Sequence, residues 1–216
     1  MKFFIDSADP SEIKSALSLG LADGVTTNPT LIQKSGRDFQ KTICAIADMV
    51  AGPVLAEAVS EDAEGIVREG KEMSKWANNV VIKIPLSRAG LEAIRVLKNE
   101  NIETAATLVF SPGQALLAAK AGASWICPFI GRLDDIGQDG MDLIRMISDM
   151  YAHYPDISTE ILVASVRTPR HVTESALAGA DAVTVPFKVV EQLIAHPLTE
   201  IGIRKFLDDW RKSQKK

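Results

Sequence analysis

The chain has 216 residues, a formal charge of −4, 46% hydrophobic and 24% charged residues, values that suit one compact domain and exclude general disorder. Lys and Arg are scattered apart from a short tail at Lys212, Lys215 and Lys216, so there is no basic field for nucleic acid, and no apolar run approaches the roughly 20 residues that span a bilayer. Cys44 and Cys127 form no C-x-x-C pair, which argues against a disulfide framework or a zinc site and fits a reducing cytosol. Asp6 and Asp9 interrupt the opening MKFFIDSADP before a signal h-region could form, so a cytoplasmic location is expected.

Apolar runs bounded by turn residues alternate with stretches of helical periodicity along the whole chain. In order, the pattern predicts strand 3–6, helix 10–19, strand 24–27, helix 38–49, strand 54–59, helix 61–76, strand 80–84 and helix 90–98. It continues with strand 104–109, helix 112–121, strand 125–129, helix 140–151, strand 161–165, helix 169–178, strand 182–185 and helix 186–194. Capping hydroxyls or Pro punctuate the helix starts at Ser60-Glu61-Asp62, Ser87, Ser111-Pro112 and Thr168-Pro169. After Pro197 a further helix is expected over 198–210, with Ile203, Phe206, Leu207 and Trp210 at helical spacing. Its apolar face must cover the barrel's own surface or a neighbouring subunit.

Several strands are continuous hydrophobic runs, as in a parallel sheet covered by helices. Eight βα units in one domain predict an α/β fold, a (β/α)8 TIM barrel with an additional C-terminal amphipathic helix, over 1–216. The alternative is an open doubly wound sheet, which leaves edges, and no G-x-G-x-x-G follows the first strand.

Lys83 interrupts the apolar run Val80-Val81-Ile82-Lys83-Ile84-Pro85. Burial there disfavours the ammonium, and a free amine attacks ketones to give an imine that withdraws electrons and lets a neighbouring C–C bond break. The other reading is a barrel lysine paired to a buried carboxylate. Polar residues at the expected strand ends bear on the choice, because all C-terminal strand ends of a barrel converge on one face. Asp6, Asn28, Glu57, Thr107 and Ser165 occupy such positions. Arg132 and Arg167, after the sixth and seventh strands, could hold a phosphate, or could be ordinary surface arginines. His153, His171 and His196 have no metal-ligand spacing and receive no catalytic role. Cys127, in an apolar strand, reads as inert or as a substrate contact.

Two segments, Asp23-Gly24-Val25-Thr26-Thr27-Asn28-Pro29-Thr30-Leu31-Ile32 and Val81-Ile82-Lys83-Ile84-Pro85, resemble the signatures of transaldolases. The resemblance runs on through Cys127-Pro128-Phe129-Ile130-Gly131-Arg132 and Ala164-Ser165-Val166-Arg167, and the length is similar to the short microbial branch. It implies a barrel without metal or organic cofactor that moves a dihydroxyacetone unit from sedoheptulose 7-phosphate to glyceraldehyde 3-phosphate, chemistry of the pentose phosphate pathway. By position, Lys83 forms the Schiff base, Glu57 and Thr107 orient a proton-shuttling water, and Asp6 takes the hydroxyl proton. Asn28, with Thr27, binds the donor's hydroxyls, Phe129 and Cys127 also face the substrate, and Arg132, Ser165 and Arg167 form the phosphate site.

The related fructose 6-phosphate aldolases, which release dihydroxyacetone, carry Gln where this chain has Glu57 and Tyr where it has Phe129. These two positions favour transfer over cleavage, since a Tyr hydroxyl could help protonate the enamine and Phe cannot. At Cys127 many transaldolases have Ser, which hydrogen-bonds the substrate, whereas a thiol is a weaker donor and a larger atom; Ala105 is uninformative. The alternatives are a fructose 6-phosphate aldolase and, in another class, a non-catalytic sugar-phosphate-binding barrel. The short branch also resembles homodecamers of two pentameric rings, with the C-terminal helix crossing to a neighbour.

Overall fold

A computed structural model describes residues 1–214; Lys215 and Lys216 of the basic tail lie outside the described residues. Eight parallel strands close into a barrel in chain order: β1 (Lys2–Asp6), β2 (Gly24–Thr26), β3 (Val54–Glu57), β4 (Val80–Pro85), β5 (Thr104–Val109), β6 (Trp125–Pro128), β7 (Glu160–Val163) and β8 (Ala182–Val185). The helices are α1 (Pro10–Ser18), α2 (Pro29–Ser35), α3 (Phe39–Ala47), α4 (Ala63–Met73), α5 (Arg88–Asn99), α6 (Pro112–Ala121), α7 (Ile130–Asp135), α8 (Gly140–Ala152), α9 (Pro169–Leu177), α10 (Phe187–Ile194) and α11 (Pro197–Ser213). This is the predicted (β/α)8 barrel with its extra C-terminal helix.

Side-chain alternation along each strand divides the core in two. Phe4, Leu55, Val81, Ala105, Trp125 and Leu162 point inward and fill the barrel, with Phe4 and Trp125 edge to face at 5.4 Å. Their neighbours Ile5, Val54, Ala56, Ile82 and Ile84 point outward and pack against the helices. Gly24 is required by this filling, because a Cβ there would collide with the Phe4 ring and the Pro53 carbonyl. Helix starts follow the expected chemistry: Asn28, Asp62, Ser87, Ser111 and Thr168 each accept a backbone N–H of the first turn.

Several boundaries differ from those predicted. β3 ends at Glu57, and not at 59, because Val59 and Ser60 donate their N–H groups to the Glu69 carboxylate instead of to a strand. α4 correspondingly starts after the Asp62 cap rather than at 61. β7 ends at Val163; Ala164 makes only an isolated bridge to Phe129, and Ser165 turns away with φ +60. Two helices were not expected. α2 has an Asn cap and a Pro at its start but buries no residue, so it has no apolar periodicity to read. α7 has six residues and no side-chain cap.

Among the described residues, no helix is long and apolar enough to cross a membrane. No residue of α11 is buried, and Leu198, Ile201, Phe206 and Trp210 stand exposed on it.

Candidate active site

The last inward position of most strands carries a polar side chain. Asp6 ends β1, Thr26 ends β2 and Glu57 ends β3; Lys83 is on β4, Thr107 on β5, Cys127 on β6 and Thr184 on β8. Below them the inward layer is apolar, so these groups stand at the C-terminal end of the barrel over an apolar floor, although Thr107 lines neither of the spaces there. Asp6, Asn28, Lys83, Cys127, Phe129, Arg132 and Ser165 line a cavity of about 170 Å³ there. Glu57 joins Asn28, Lys83, Phe129 and Arg132 in an adjoining groove of about 430 Å³. A larger cavity of about 660 Å³ opens at the other end of the barrel beside Trp125, Glu160 and Tyr154, and holds none of the candidate groups.

Lys83 and Glu57 are direct neighbours across the β3–β4 pairing. The Lys83 Nζ lies 2.9 Å from Glu57 Oε2, and the two side chains are 5% and 13% exposed. It also donates to the Thr27 carbonyl at 3.2 Å and sits 5.8 Å from the centre of the Phe129 ring. Lys83 is thus paired to a buried carboxylate and at the same time faces a cavity. An attack by this amine starts with a proton passing to an adjacent base, and Glu57 is in hydrogen-bonding contact with it.

Asp6 is held from the opposite side. Burial pushes its carboxyl above the ordinary carboxylate value, against the lowering effects of the Lys83 charge and the Thr26 hydrogen bond; nearby Glu57 adds a smaller upward push. Thr26 Oγ1 donates to Asp6 Oδ1 at 2.8 Å. Burial also drives the Cys127 thiol up to about 12, so it is a protonated, weak donor and not a thiolate.

Not every expected residue faces the cavity with its side chain. Thr27 lines neither space; its hydroxyl donates to the Leu55 carbonyl at 2.8 Å, and it meets Lys83 only through its own carbonyl. Asn28 spends its carbonyl oxygen on the Leu31 N–H at the start of α2, which leaves its amide NH₂ for a ligand. Thr107 is buried, and its hydroxyl has no partner among the described residues. Arg132 lies over the Phe129 ring at 5.0 Å and lines both spaces. Arg167 lines neither; its fork closes on the Asp135 carboxylate, with Nη2 at 2.5 Å from Oδ2. The pairing holds the Asp135 carboxyl below its ordinary value.

Gly131 explains how Arg167 nevertheless approaches the site. A Cβ at 131 would collide with the Ser165 carbonyl and stand 2.7 Å from Arg167 Nε and 3.0 Å from Ser165 Oγ. Only glycine lets α7 come this close to the turn after β7. Leu108 is one of three non-glycine residues with positive φ among the described residues, with Asn101 and Ser165, and its φ of +58 falls at a register shift in the β5–β6 pairing. A left-handed leucine costs about 1–2 kcal/mol, and here it points into the groove.

The sequence reading missed Thr26, Leu108, Asp135 and Thr184. Strict period-two alternation would have found the threonines: Thr26 lies one inward step beyond Gly24, and Thr184 one beyond Ala182. No local signal marks Asp135 as the partner of a residue 32 positions away. Among the described residues no group of three or more His, Cys, Asp or Glu is arranged to hold a metal.

Fold and site together define a parallel (β/α)8 barrel with a buried lysine–carboxylate pair at its C-terminal mouth. The family model described as Transaldolase/Fructose-6-phosphate aldolase matches residues 3–216. Proteins called probable transaldolase are similar along their whole length: that of Caldicellulosiruptor saccharolyticus is 56% identical over 216 residues, covering 100% of both chains. That of Aquifex aeolicus is 56% identical over 100% of this chain and 99% of its own, and that of Methanococcus vannielii 57% identical over 97% of each. The chain belongs to the transaldolase/fructose-6-phosphate aldolase family and is an enzyme of that aldolase type.

Proposed function

We propose that the protein is a transaldolase that carries a dihydroxyacetone unit on Lys83 from sedoheptulose 7-phosphate to glyceraldehyde 3-phosphate. The observation that carries this reading is the buried Lys83–Glu57 pair at the edge of the cavity. Lys83 passes a proton to Glu57, and its amine attacks the donor's ketone carbon. Loss of water from the carbinolamine leaves a protonated imine, with Glu57 and a water held at the partnerless Thr107 hydroxyl moving the protons. Asp6 takes the proton from the hydroxyl on C4, the far carbon of the C3–C4 bond to be cleaved. That C–C bond breaks, its electron pair enters the imine to give an enamine, and erythrose 4-phosphate leaves as the aldehyde. The enamine then attacks glyceraldehyde 3-phosphate, and the same steps in reverse release fructose 6-phosphate.

Asn28, through its free NH₂, and the Cys127 thiol meet the dihydroxyacetone hydroxyls. The phosphate rests on Arg132 and Ser165, with Arg167 contributing beside Gly131 while Asp135 fixes its fork. Metal and organic cofactors have no part in the proposed steps. Incubation with sedoheptulose 7-phosphate and glyceraldehyde 3-phosphate, with coupled detection of fructose 6-phosphate, tests the activity; no product formation sinks it.

Phe129 separates this reading from a fructose 6-phosphate aldolase. Its ring lies against Lys83 and Arg132 and offers no hydroxyl to protonate the enamine, so the intermediate waits for an acceptor aldehyde. Phe129→Tyr is expected to raise release of free dihydroxyacetone relative to transfer by about 10²-fold, the lower end of the range for a positioned proton donor. An unchanged ratio, measured with and without acceptor, counts against this role. A non-catalytic sugar-phosphate barrel has no use for the costly burial of Lys83 and Glu57.

The exposed apolar residues of α11 favour assembly, with a homodecamer of two pentameric rings as the proposed form and the cytoplasm as its location. Light scattering is expected to give a mass many times the 23.4 kDa of one chain. A monomer rules this out.

A further inference from the structure

The proposed mechanism leaves two buried hydroxyls at the cavity without a role. Thr26 and Thr184 are 2% and 4% exposed and line the same space as Asp6 and Lys83. They stand on β2 and β8, the two strands that flank β1, so they lie on either side of Asp6 in the barrel wall. Thr26 Oγ1 donates to Asp6 Oδ1 at 2.8 Å, and Thr184 Oγ1 is 2.6 Å from Thr26 Oγ1.

A hydroxyl has one proton to give. Thr26 gives its proton to Asp6, so the proton between the two threonines belongs to Thr184. The chain then has one direction, Thr184 to Thr26 to Asp6, and each bond polarises the next. Two buried threonines that merely satisfied one another would need a single bond. Here the chain ends on the carboxylate proposed to take the substrate's proton.

We propose that Thr184, acting through Thr26, is a positioning residue that keeps Asp6 ionised and turns its second oxygen toward the substrate hydroxyl. The inference rests on the Schiff-base reading above. It also accounts for how a buried carboxylate stays a base at all. Burial works against its charge, and the Thr26 hydrogen bond is among the few influences that favour it. The ionisable groups facing Asp6 are Lys83, Glu57 and the Cys127 thiol, from β4, β3 and β6. Substitution at Thr184 leaves all three in place.

The sign of the effect follows from the base having to be deprotonated. A weaker hydrogen bond raises the Asp6 pKa, and activity then disappears at a higher pH on the acid side. Thr184→Val keeps the side chain's shape and removes its hydroxyl. It is expected to lower kcat about tenfold, the typical worth of a hydrogen bond reaching a charged group. KM should stay within about twofold, and the acid limb of the kcat profile should move up by about one pH unit. Thr184→Ser should restore both, and Thr26→Val should move the limb at least as far as Thr184→Val.

Borohydride trapping with fructose 6-phosphate separates the two levels of the argument. Wild-type protein unlabelled at Lys83 overturns the Schiff-base reading and the relay with it. Labelled wild-type protein combined with an unmoved acid limb in Thr184→Val overturns the relay alone. Equal losses in Thr184→Ser and Thr184→Val also overturn it, since shape and not the hydroxyl would then be at work. Should Thr184→Val fail to fold, Thr26→Val and Thr184→Ser decide the question by the same limb.

Discussion

Lys83→Met is expected to abolish transfer, by on the order of 10⁴-fold or more, because removing a covalent nucleophile takes away the whole imine route and not one contact within it. Methionine fills a similar volume, so the apolar neighbours Ile82 and Ile84 keep their packing. The charge balance does change. Glu57 loses its cation while remaining mostly buried, and stripping one partner from a buried ion pair costs about 3–5 kcal/mol when the other cannot adjust. Loss of activity could then be mistaken for loss of fold, and the double variant Lys83→Met with Glu57→Gln separates the two. With the carboxylate also neutralised, the double variant should regain thermal stability relative to Lys83→Met and remain inactive. Borohydride and fructose 6-phosphate should add a reduced dihydroxyacetone mass to the Lys83 peptide of the wild type and nothing in either variant. Turnover retained in Lys83→Met would refute the mechanism.

The barrel was legible because βα alternation is a chain-wide pattern. Each strand's apolar run and each capped helix repeats the same statement, and errors at single boundaries do not alter it. The two missed helices show the limit of this signal. α2 has no fully buried residue and α7 is under two turns long, so tertiary placement after Asn28 and Phe129 decides them, not periodicity. The site was legible where one residue breaks a pattern. Lys83 inside Val80–Pro85 is such a break. Thr184 is not, because a threonine in Ala182–Val185 is an ordinary strand residue, and only barrel closure between β8 and β1 gives it Thr26 and Asp6 as neighbours. The partner of Arg167 was hidden for a related reason. Sequence places Arg167 after β7 beside Ser165, but its partner Asp135 comes from a helix that had not been expected, so of the two arginines one lies over Phe129 and the other is clasped by a carboxylate.

Asp6→Asn should lower kcat by about 10² to 10⁴-fold, the range for a positioned general base, while leaving imine formation intact. The separation follows from where the two carboxylates sit. Glu57 touches the Lys83 nitrogen at 2.9 Å and is the carboxylate proposed to serve the steps that make and break the imine. Asp6 faces the cavity from β1 and is tied to Thr26, which suits it to the C–C bond step alone. Asparagine preserves the shape and can still accept the Thr26 hydrogen bond through its carbonyl oxygen, so the local geometry should survive. Borohydride labelling of Lys83 by fructose 6-phosphate should therefore match or exceed that of the wild type, because the donor imine forms and then waits. The pH profile gives an independent reading. In the wild type, burial holds the Asp6 carboxyl above its ordinary 3.8, so activity is expected to fall with decreasing pH as that group takes up a proton. The acid limb belonging to this proton should vanish from the residual activity of Asp6→Asn, which has no carboxylate to protonate there. If labelling drops in step with kcat, Asp6 acts before the imine and its assignment to bond cleavage is wrong. If kcat barely changes, another group takes the hydroxyl proton, and the chain of threonines behind Asp6 would then have no base to position.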